Sequence, residues 1–188
     1  MPYQAPVSEY KFIFDRVVPL GPVVANECFS EASQDLTDAV LNECGKMCDT
    51  VMAPLQRPGD LHPAKLENGV VRTSPGFIDG YAAIAEGGWV GISASPAHGG
   101  MGLPLALNTA MHDMMSGACL SLNLCPLLSQ GQIEALEHHA SSDLQNIYLP
   151  KLISGAWTGT MNLTEPQAGS DVGALSSKAE LQADGTYK

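Results

Sequence analysis

The residues with the clearest capacity for chemistry lie in one short stretch of the 188-residue sequence, from Met161 to Asp171. Thr164 and Ser170 supply hydroxyl groups, and Gly169 lets backbone N–H groups approach a bound molecule closely. A loop of this kind could hold the edge of a heteroaromatic ring, or a pyrophosphate, without cationic side chains. The alternative is an ordinary connection between two strands, and the residue types alone leave both open.

Other residue types that often mark catalytic or metal sites form no recognisable pattern. The five histidines lack the H-E-x-x-H spacing of a zinc protease, so we predict no metal site. Gly99-Gly100-Met101-Gly102 has the glycine content of a phosphate loop without its G-K-[ST] ending, and we interpret it as a structural turn. No nucleophile can be paired with a general base. The five cysteines form no C-x-x-C pair, which favours reduced thiols over a zinc site or a disulfide framework.

Helical patterning dominates the chain that precedes the loop. Apolar residues recur at spacings of three and four from Asp35 to Met52, which predicts a helix. Leu103–Leu124 and Leu127–His139 are predicted to form two buried helices separated at Pro126. Residues 1–34 lack clear periodicity and are predicted to be an N-terminal arm laid on a larger body.

The character of the sequence changes at Trp157. Residues 157–163 alternate between apolar and polar types and are rich in strand formers, which predicts a first β-strand. Asp184-Gly185 predicts a hairpin turn after a second strand. Two strands are too few to be stable independently. We therefore predict three regions: an N-terminal arm (1–34), a helical domain (35–155) and the start of a β-domain (156–188).

The charge balance excludes several classes of partner. Nine Lys and Arg are outnumbered by 20 Asp and Glu, for a net charge of −11, and no basic residue lies between Arg72 and Lys151. Because nucleic acids and anionic membranes are bound through clustered cations, we expect neither as a partner. The uncharged run from Met114 to Ile133 contains too many polar residues to insert into a membrane. No segment resembles a secretion or organelle signal, so the cytoplasm is the expected location.

The order of residues in the loop resembles the flavin-binding signature of the acyl-CoA dehydrogenases. The run from Thr164 to Asp171 matches the Thr-Glu-Pro-x-Ala-Gly-Ser-Asp pattern of that family. Residues 87–92, 99–104 and 148–155 are similar to segments that precede the signature in the family. The resemblance thus covers the chain from about Asp35 onwards.

A finer resemblance is to the 3-methylmercaptopropionyl-CoA dehydrogenase branch of that family. It is carried by residues 1–7, by the pair Gln130-Gly131, and by residues 157–163 together with Gln167. This branch implies 3-(methylthio)propanoyl-CoA as a candidate substrate.

The family resemblance implies a fold and a cofactor. The expected fold is mainly α: an N-terminal helical domain followed by the first strands of a middle β-domain, with a C-terminal helical bundle beyond Lys188. FAD would lie between the β-domain and that bundle. Ser170 would also approach the acyl-CoA, and the family's catalytic glutamate would lie beyond Lys188, so no catalytic residue is assigned in this sequence. The residues expected to line the flavin are Met161, Asn162, Leu163, Thr164, Gly169 and Ser170.

The reaction so implied is α,β-dehydrogenation of an acyl-CoA thioester, in which a carboxylate takes the α-proton and the flavin takes the β-hydride. Electrons would leave to an electron-transfer flavoprotein, and the full-length protein would be a homo-oligomer. The 188 residues alone are expected to be inactive. Two alternatives stay open: a flavin monooxygenase or nitroalkane oxidase on the same fold, and a catalytically incomplete helical protein that binds a partner or oligomerises through an open β edge.

Overall fold

Helices account for most of the computed structural model, which describes residues 2–29 and 31–188. The expected mainly α fold class is therefore confirmed. Turns of 3-10 helix and two π-helical segments, Ile13–Val17 and Cys48–Met52, extend or connect the longer helices. The helices are α1 (Val7–Phe12), α2 (Gly21–Val24), α3 (Gln34–Met47), α4 (Ala53–Leu61), α5 (Phe77–Glu86), α6 (Leu105–His139) and α7 (Ser142–Ile153), and the strands β1 (Lys65–Glu67) and β2 (Val70–Arg72) pair antiparallel.

A single hydrophobic core joins the helices from α3 to α7. Among its largest fully buried side chains are Leu41 of α3, Ile84 of α5, Met111 of α6 and Leu149 of α7. Burial of a side chain of this size contributes roughly 1.5–3 kcal/mol relative to exposure. These buried apolar side chains hold the helices together.

The long helix α6 is broken, but at Cys119 rather than at the predicted Pro126. Cys119 has φ −158° and ψ 86°, which are not helical values. The side chains of His112 and Gln130 are hydrogen-bonded although the residues are 18 positions apart, a separation of about 27 Å on a straight helix. The parts before and after Cys119, here called the first and second half of α6, therefore fold back on each other. Pro126 stays inside the second half, where its burial offsets the lost backbone hydrogen bond.

The first predicted helix extends further than expected. It was predicted to end at Met52, but α3 continues through the π-helical segment into α4 and ends only at Leu61. Pro54 and Pro58, which were expected to end the helix, both lie within this continuous run. The hairpin of β1 and β2, not predicted from the sequence, turns at Asn68-Gly69, whose positive φ angles of 52° and 78° suit this residue pair.

Residues 157–163 do not form the predicted strand. They are irregular and pair with no neighbouring strand in the part of the chain that the structure describes. A strand requires hydrogen bonds to a neighbour, and this region contains only the isolated bridges Glu165–Ala168 and Leu181–Tyr187. The predicted turn at Asp184-Gly185 is present inside the second bridge. The division into regions 1–34, 35–155 and 156–188 stays a prediction.

The arm is helical and is attached to the core by two tyrosines. It carries α1 and α2, although its sequence lacks clear periodicity. Tyr3 Oη donates to the carbonyl oxygen of Met114 (2.7 Å), and Tyr10 Oη donates to Asp113 Oδ2 (2.6 Å). Both acceptors lie on the first half of α6, so the arm braces that helix.

The attachment of Tyr3 should make stability sensitive to alkaline pH. Burial, followed by the nearby Cys48 and Asp49, raises the pKa of Tyr3 from 10.0 to about 12. Because the pKa of Tyr3 is raised in the folded state, protonated Tyr3 makes its full contribution to stability below about pH 10. This contribution is lost as the pH rises through about 12. We expect the free energy of unfolding, measured by urea titration, to fall over this range and to fall less steeply in Tyr3→Phe.

The matched control for this prediction is Tyr187→Phe, because Tyr187 is exposed and lies outside the arm. It should reproduce the pH dependence of the unaltered chain. Equal flattening of the curve by both substitutions would contradict the role given to Tyr3.

Candidate functional site

The residues predicted to line a flavin lie together on the surface. We call residues 161–171 the signature loop. Its largest apolar side chains, Met161 and Leu163, are 63% and 40% exposed, and none of the hydrogen bonds in the described part of the chain uses the N–H groups of residues 162–164 or 169–170. All six predicted residues are exposed: Met161, Asn162, Leu163, Thr164, Gly169 and Ser170.

A tight turn brings the two groups of site residues together. Glu165 N–H donates to the carbonyl oxygen of Ala168 (2.9 Å), and Ala168 N–H donates to that of Glu165 (3.0 Å). The chain reverses here, so Thr164 and Gly169 become neighbours across the turn. Ala168 is 1% exposed, so the turn carries one buried residue between exposed neighbours. The structure thus places both predicted hydroxyl-bearing residues on the same exposed loop.

The carboxylate of Glu165 organises the chain that follows the turn. Its Oε2 accepts from Ser176 N–H (2.9 Å), from Ser176 Oγ (2.8 Å) and from the Gln167 amide, and its Oε1 accepts from Ser177 N–H (2.9 Å). These bonds from Ser177 and Ser176 hold the pKa of Glu165 well below its usual range. The side chain is therefore ionised at neutral pH. The position of Glu165 within the signature does not by itself predict this role, because its partners Ser176 and Ser177 are 11 and 12 positions away.

The segment before the loop is attached to the helical core. Gly159 N–H donates to the buried Oγ of Ser129 on the second half of α6 (3.0 Å). Trp157 N–H donates to the carbonyl oxygen of Lys151 (2.9 Å), and the Lys151 ammonium lies 4.0 Å from the centre of the Trp157 ring, a cation–π geometry. Nothing in the spacing of residues links positions 129 and 159, so the role of Ser129 could not be predicted from the sequence.

The attachment at Ser129 gives a direct prediction for stability. Ser129→Ala leaves the buried N–H of Gly159 without an acceptor, which should lower the free energy of unfolding by about 1–3 kcal/mol. Ser142→Ala is the matched control, because Ser142 is exposed at the first turn of α7. Urea denaturation of both variants tests the prediction, and equal stabilities would contradict it.

A groove of about 670 Å³ runs between the two halves of α6. Its wall includes the apolar side chains of Val90, Leu103 and Ile133 and the carboxylates of Glu134 and Glu137. Glu137 accepts a hydrogen bond from the backbone N–H of Ser95 (2.8 Å). Among the residues that line the groove there is no Lys or Arg. The groove therefore suits an apolar or cationic group better than a phosphate.

A buried polar network sets the shape of this groove. The two ring nitrogens of His112 meet Asn123 Oδ1 (3.1 Å) and Gln130 Oε1. Gln130 Nε2 donates to the carbonyl oxygen of Trp89 (3.1 Å), and Asn123 Nδ2 donates to Ser116 Oγ (2.9 Å). The network explains His112 as a hydrogen-bonded core residue. Across residues 2–29 and 31–188, no cluster of three or more His, Cys, Asp or Glu side chains could hold a metal ion.

Comparison with known proteins identifies the family. Residues 39–156 match the family described as acyl-CoA dehydrogenase, N-terminal domain. The chain belongs to the acyl-CoA dehydrogenase family. The resemblance read from the signature loop is thereby confirmed.

Two curated relatives illustrate the similarity within the acyl-CoA dehydrogenase family. The chain is 42% identical over 187 residues to the 3-methylmercaptopropionyl-CoA dehydrogenase of Ruegeria pomeroyi, an alignment that covers 100% of this chain and 32% of that protein. It is 35% identical over 158 residues to a butyryl-CoA dehydrogenase of Syntrophomonas wolfei, covering 82% of this chain and 26% of that protein. The chain thus spans about a third or less of the length of these relatives. The finer resemblance to the 3-methylmercaptopropionyl-CoA dehydrogenase branch is also confirmed.

Solved structures of low sequence identity share the fold. An acyl-CoA dehydrogenase from Bacillus anthracis, complexed with FAD, superposes with a TM-score of 0.65 at 19% identity, over 84% of this chain and 25% of that chain. An electron-transferring flavoprotein structure from Acidaminococcus fermentans gives a TM-score of 0.64 at 18% identity, over 81% and 37% of the respective chains. Within the described residues, no helix combines the length and the apolar character needed to cross a membrane.

Proposed function

We propose that this chain is the amino-terminal part of an FAD-dependent acyl-CoA dehydrogenase. The enzyme would remove the α-hydrogen of an acyl-CoA thioester as a proton and the β-hydrogen as a hydride, leaving a carbon–carbon double bond and reduced flavin. The observation that supports this proposal is the exposed signature loop, attached through Gly159 and Ser129 to the core of an acyl-CoA dehydrogenase fold.

The signature loop has the chemistry that FAD requires. Thr164 and Ser170 expose hydroxyl groups, and the N–H groups beside them are unpaired within the described residues. A Cβ placed on Gly169 would meet nothing within 4 Å, so the surface above it is open to a ligand. Uncharged donors of this kind can bind the edge of the flavin ring or its pyrophosphate. When bound, FAD would supply the electron sink for the hydride.

Substrate and partners follow from the same proposal. Similarity to a 3-methylmercaptopropionyl-CoA dehydrogenase supports 3-(methylthio)propanoyl-CoA as the substrate. An electron-transfer flavoprotein would accept the electrons, the full-length enzyme would be a homo-oligomer, and its expected location is the cytoplasm. The phosphates of CoA would lie outside the groove of α6, because its lining residues include no Lys or Arg.

A second candidate function is that of a helical binding module. The observation in its favour is a row of exposed leucines on the second half of α6: Leu120, Leu124 and Leu127. They recur at spacings of four and three, so they share one face of the helix. In the dehydrogenase proposal this face is covered by further parts of the enzyme, whereas in a binding module it would be covered by a partner.

The deciding experiment is the isolation of the natural polypeptide from its source cells. We expect an intact mass well above the 19.8 kDa of these residues, bound FAD visible by its absorbance, and bleaching of that absorbance by 3-(methylthio)propanoyl-CoA. Bleaching by another acyl-CoA only would keep the enzyme class and change the substrate. A flavin-free polypeptide of 19.8 kDa would contradict the proposal and favour the binding module.

A further inference from the structure

Very few hydrogen bonds hold the chain in place after the turn at Glu165–Ala168. Residues 169–177 are mostly exposed, and their regular structure is one 3-10 turn, Val172–Ala174. In the described part of the chain, their hydrogen bonds to other segments come only from the side chains of Glu165 and Gln167. Without these bonds, the segment would be free to sample many conformations.

Glu165 carries most of this attachment. Its two oxygens hold Ser176 and Ser177, which are 11 and 12 positions further along the chain. The loop closed in this way contains Gly169 and Ser170. Closing a loop of this length removes conformational entropy before any ligand arrives. A ligand that binds a pre-ordered loop loses less free energy to ordering, and it therefore binds more tightly.

We propose that Glu165 is a positioning residue of the FAD site, whose carboxylate clasps Ser176 and Ser177 and so holds Gly169 and Ser170 in the conformation that receives the cofactor. This inference rests on the proposed function, since it assigns a role within the same site. Glu165 does not touch the reacting atoms in this assignment. It acts on the cofactor through the loop.

The clasp requires a carboxylate and not merely a side chain of the same size. Every group that faces the oxygens of Glu165 is a donor: two backbone N–H groups, one hydroxyl and the Gln167 amide. Glu165→Gln keeps the shape but replaces one acceptor oxygen by an NH₂ group that points at other donors. Hydrogen bonds to a charged acceptor are the stronger kind, so their loss should open the loop.

The test uses the full-length protein in three forms: unaltered, Glu165→Gln and Glu180→Gln. Glu180 is the matched control, because it is an exposed carboxylate close in sequence whose side chain makes no hydrogen bond within the described residues. Hydrogen exchange of the apoprotein, followed in peptides that cover Ser176 and Ser177, measures the clasp itself. Titration with FAD measures its consequence for the cofactor.

We expect Glu165→Gln to accelerate exchange at Ser176 and Ser177 about tenfold or more, and to raise the dissociation constant of FAD by a similar factor. Glu180→Gln should change neither. At saturating FAD the variant should recover the kcat of the unaltered enzyme, because a positioning residue does not take part in the chemical step. Glu165→Asp, which keeps the charge, should restore part of the affinity.

Three other results would overturn either this inference alone or the proposed function with it. Unchanged exchange in Glu165→Gln, or faster exchange with unchanged FAD affinity, would overturn the inference while the proposed function stands. A kcat that stays low at saturating FAD would also overturn it, since Glu165 would then act in the chemistry or in global folding. If the unaltered protein binds no FAD, the proposed function fails, and this inference fails with it.

Discussion

Gly100→Ala is expected to destabilise the native fold strongly. A Cβ at position 100 would lie 2.1 Å from the carbonyl oxygen and 2.4 Å from the carbonyl carbon of Ala94. Both are backbone atoms, so relief requires a shift of the main chain and not of one flexible side chain. Overpacking of this kind costs about 3 kcal/mol or more, a large part of the stability of a small domain.

The surrounding backbone explains why that shift is costly. Gly102 N–H donates to the carbonyl oxygen of Ala94 (2.9 Å), and Leu103 N–H donates to that of Ile92 (3.0 Å). Moving Ala94 would therefore break the contact between the segment after α5 and the start of α6. Gly100 serves this close packing, while Gly99 and Gly102 adopt positive φ angles of 95° and 62°. Both features support the interpretation of the stretch as a structural turn and not as a phosphate loop.

Urea titration followed by circular dichroism measures the effect of Gly100→Ala. The matched control is Gly131→Ala, since Gly131 lies in α6 and a Cβ there meets nothing within 4 Å. This control should gain about 0.5–1 kcal/mol from improved helix propensity. A Gly100→Ala variant that unfolds at the same urea concentration as the unaltered chain would show that the packing at Ala94 is looser than described.

The second large effect is expected at Asn123, which is 0% exposed at the centre of the α6 hairpin. Its Oδ1 meets His112 Nδ1 (3.1 Å), and its Nδ2 donates to Ser116 Oγ (2.9 Å) and to the carbonyl oxygen of His112 (3.3 Å). Asn123→Leu keeps a similar volume but leaves these groups unpaired in the core. Since each buried unpaired group costs about 1–3 kcal/mol, we expect the variant to lose about 3 kcal/mol or more.

Two further variants separate hydrogen bonding from packing. Leu124→Ala changes the neighbouring, half-exposed position and should cost much less than Asn123→Leu. The double variant Asn123→Leu/His112→Phe removes both partners of one bond, so part of the lost stability should return. If the double variant is destabilised by the full sum of the two single changes, the two side chains are not coupled and the network does not hold the hairpin together.

The same helix connects the groove to the signature loop. Ser129 holds Gly159, whereas the next residue, Gln130, holds His112 and Trp89. A displacement of the second half of α6 would therefore move the wall of the groove and the attachment of the loop together. We expect variants at Asn123 to weaken FAD binding by the proposed full-length enzyme in proportion to their loss of stability.

The sequence by itself determined the helical class and the family, and it predicted the position of the candidate site. Helical periodicity places apolar residues three or four positions apart on one face of a helix, and this spacing can be recognised from the sequence without knowing which elements cover that face. The run Thr164–Asp171 identified the family because its residue types and their order are specific. The six flavin-lining residues stay a prediction, although the structure places them together and exposed.

The tertiary structure decided the features that depend on residues far apart in the chain. The break at Cys119 accompanies a buried network that joins His112 to Gln130, and no local signal at Cys119 competes with the obvious one at Pro126. The alternation of residues 157–163 predicts a strand only if a neighbouring strand supplies hydrogen bonds, and the described residues supply none. The clasp of Glu165 on Ser177 spans 12 positions. Local spacing could not reveal these features, because each depends on which distant groups folding brings within hydrogen-bonding distance.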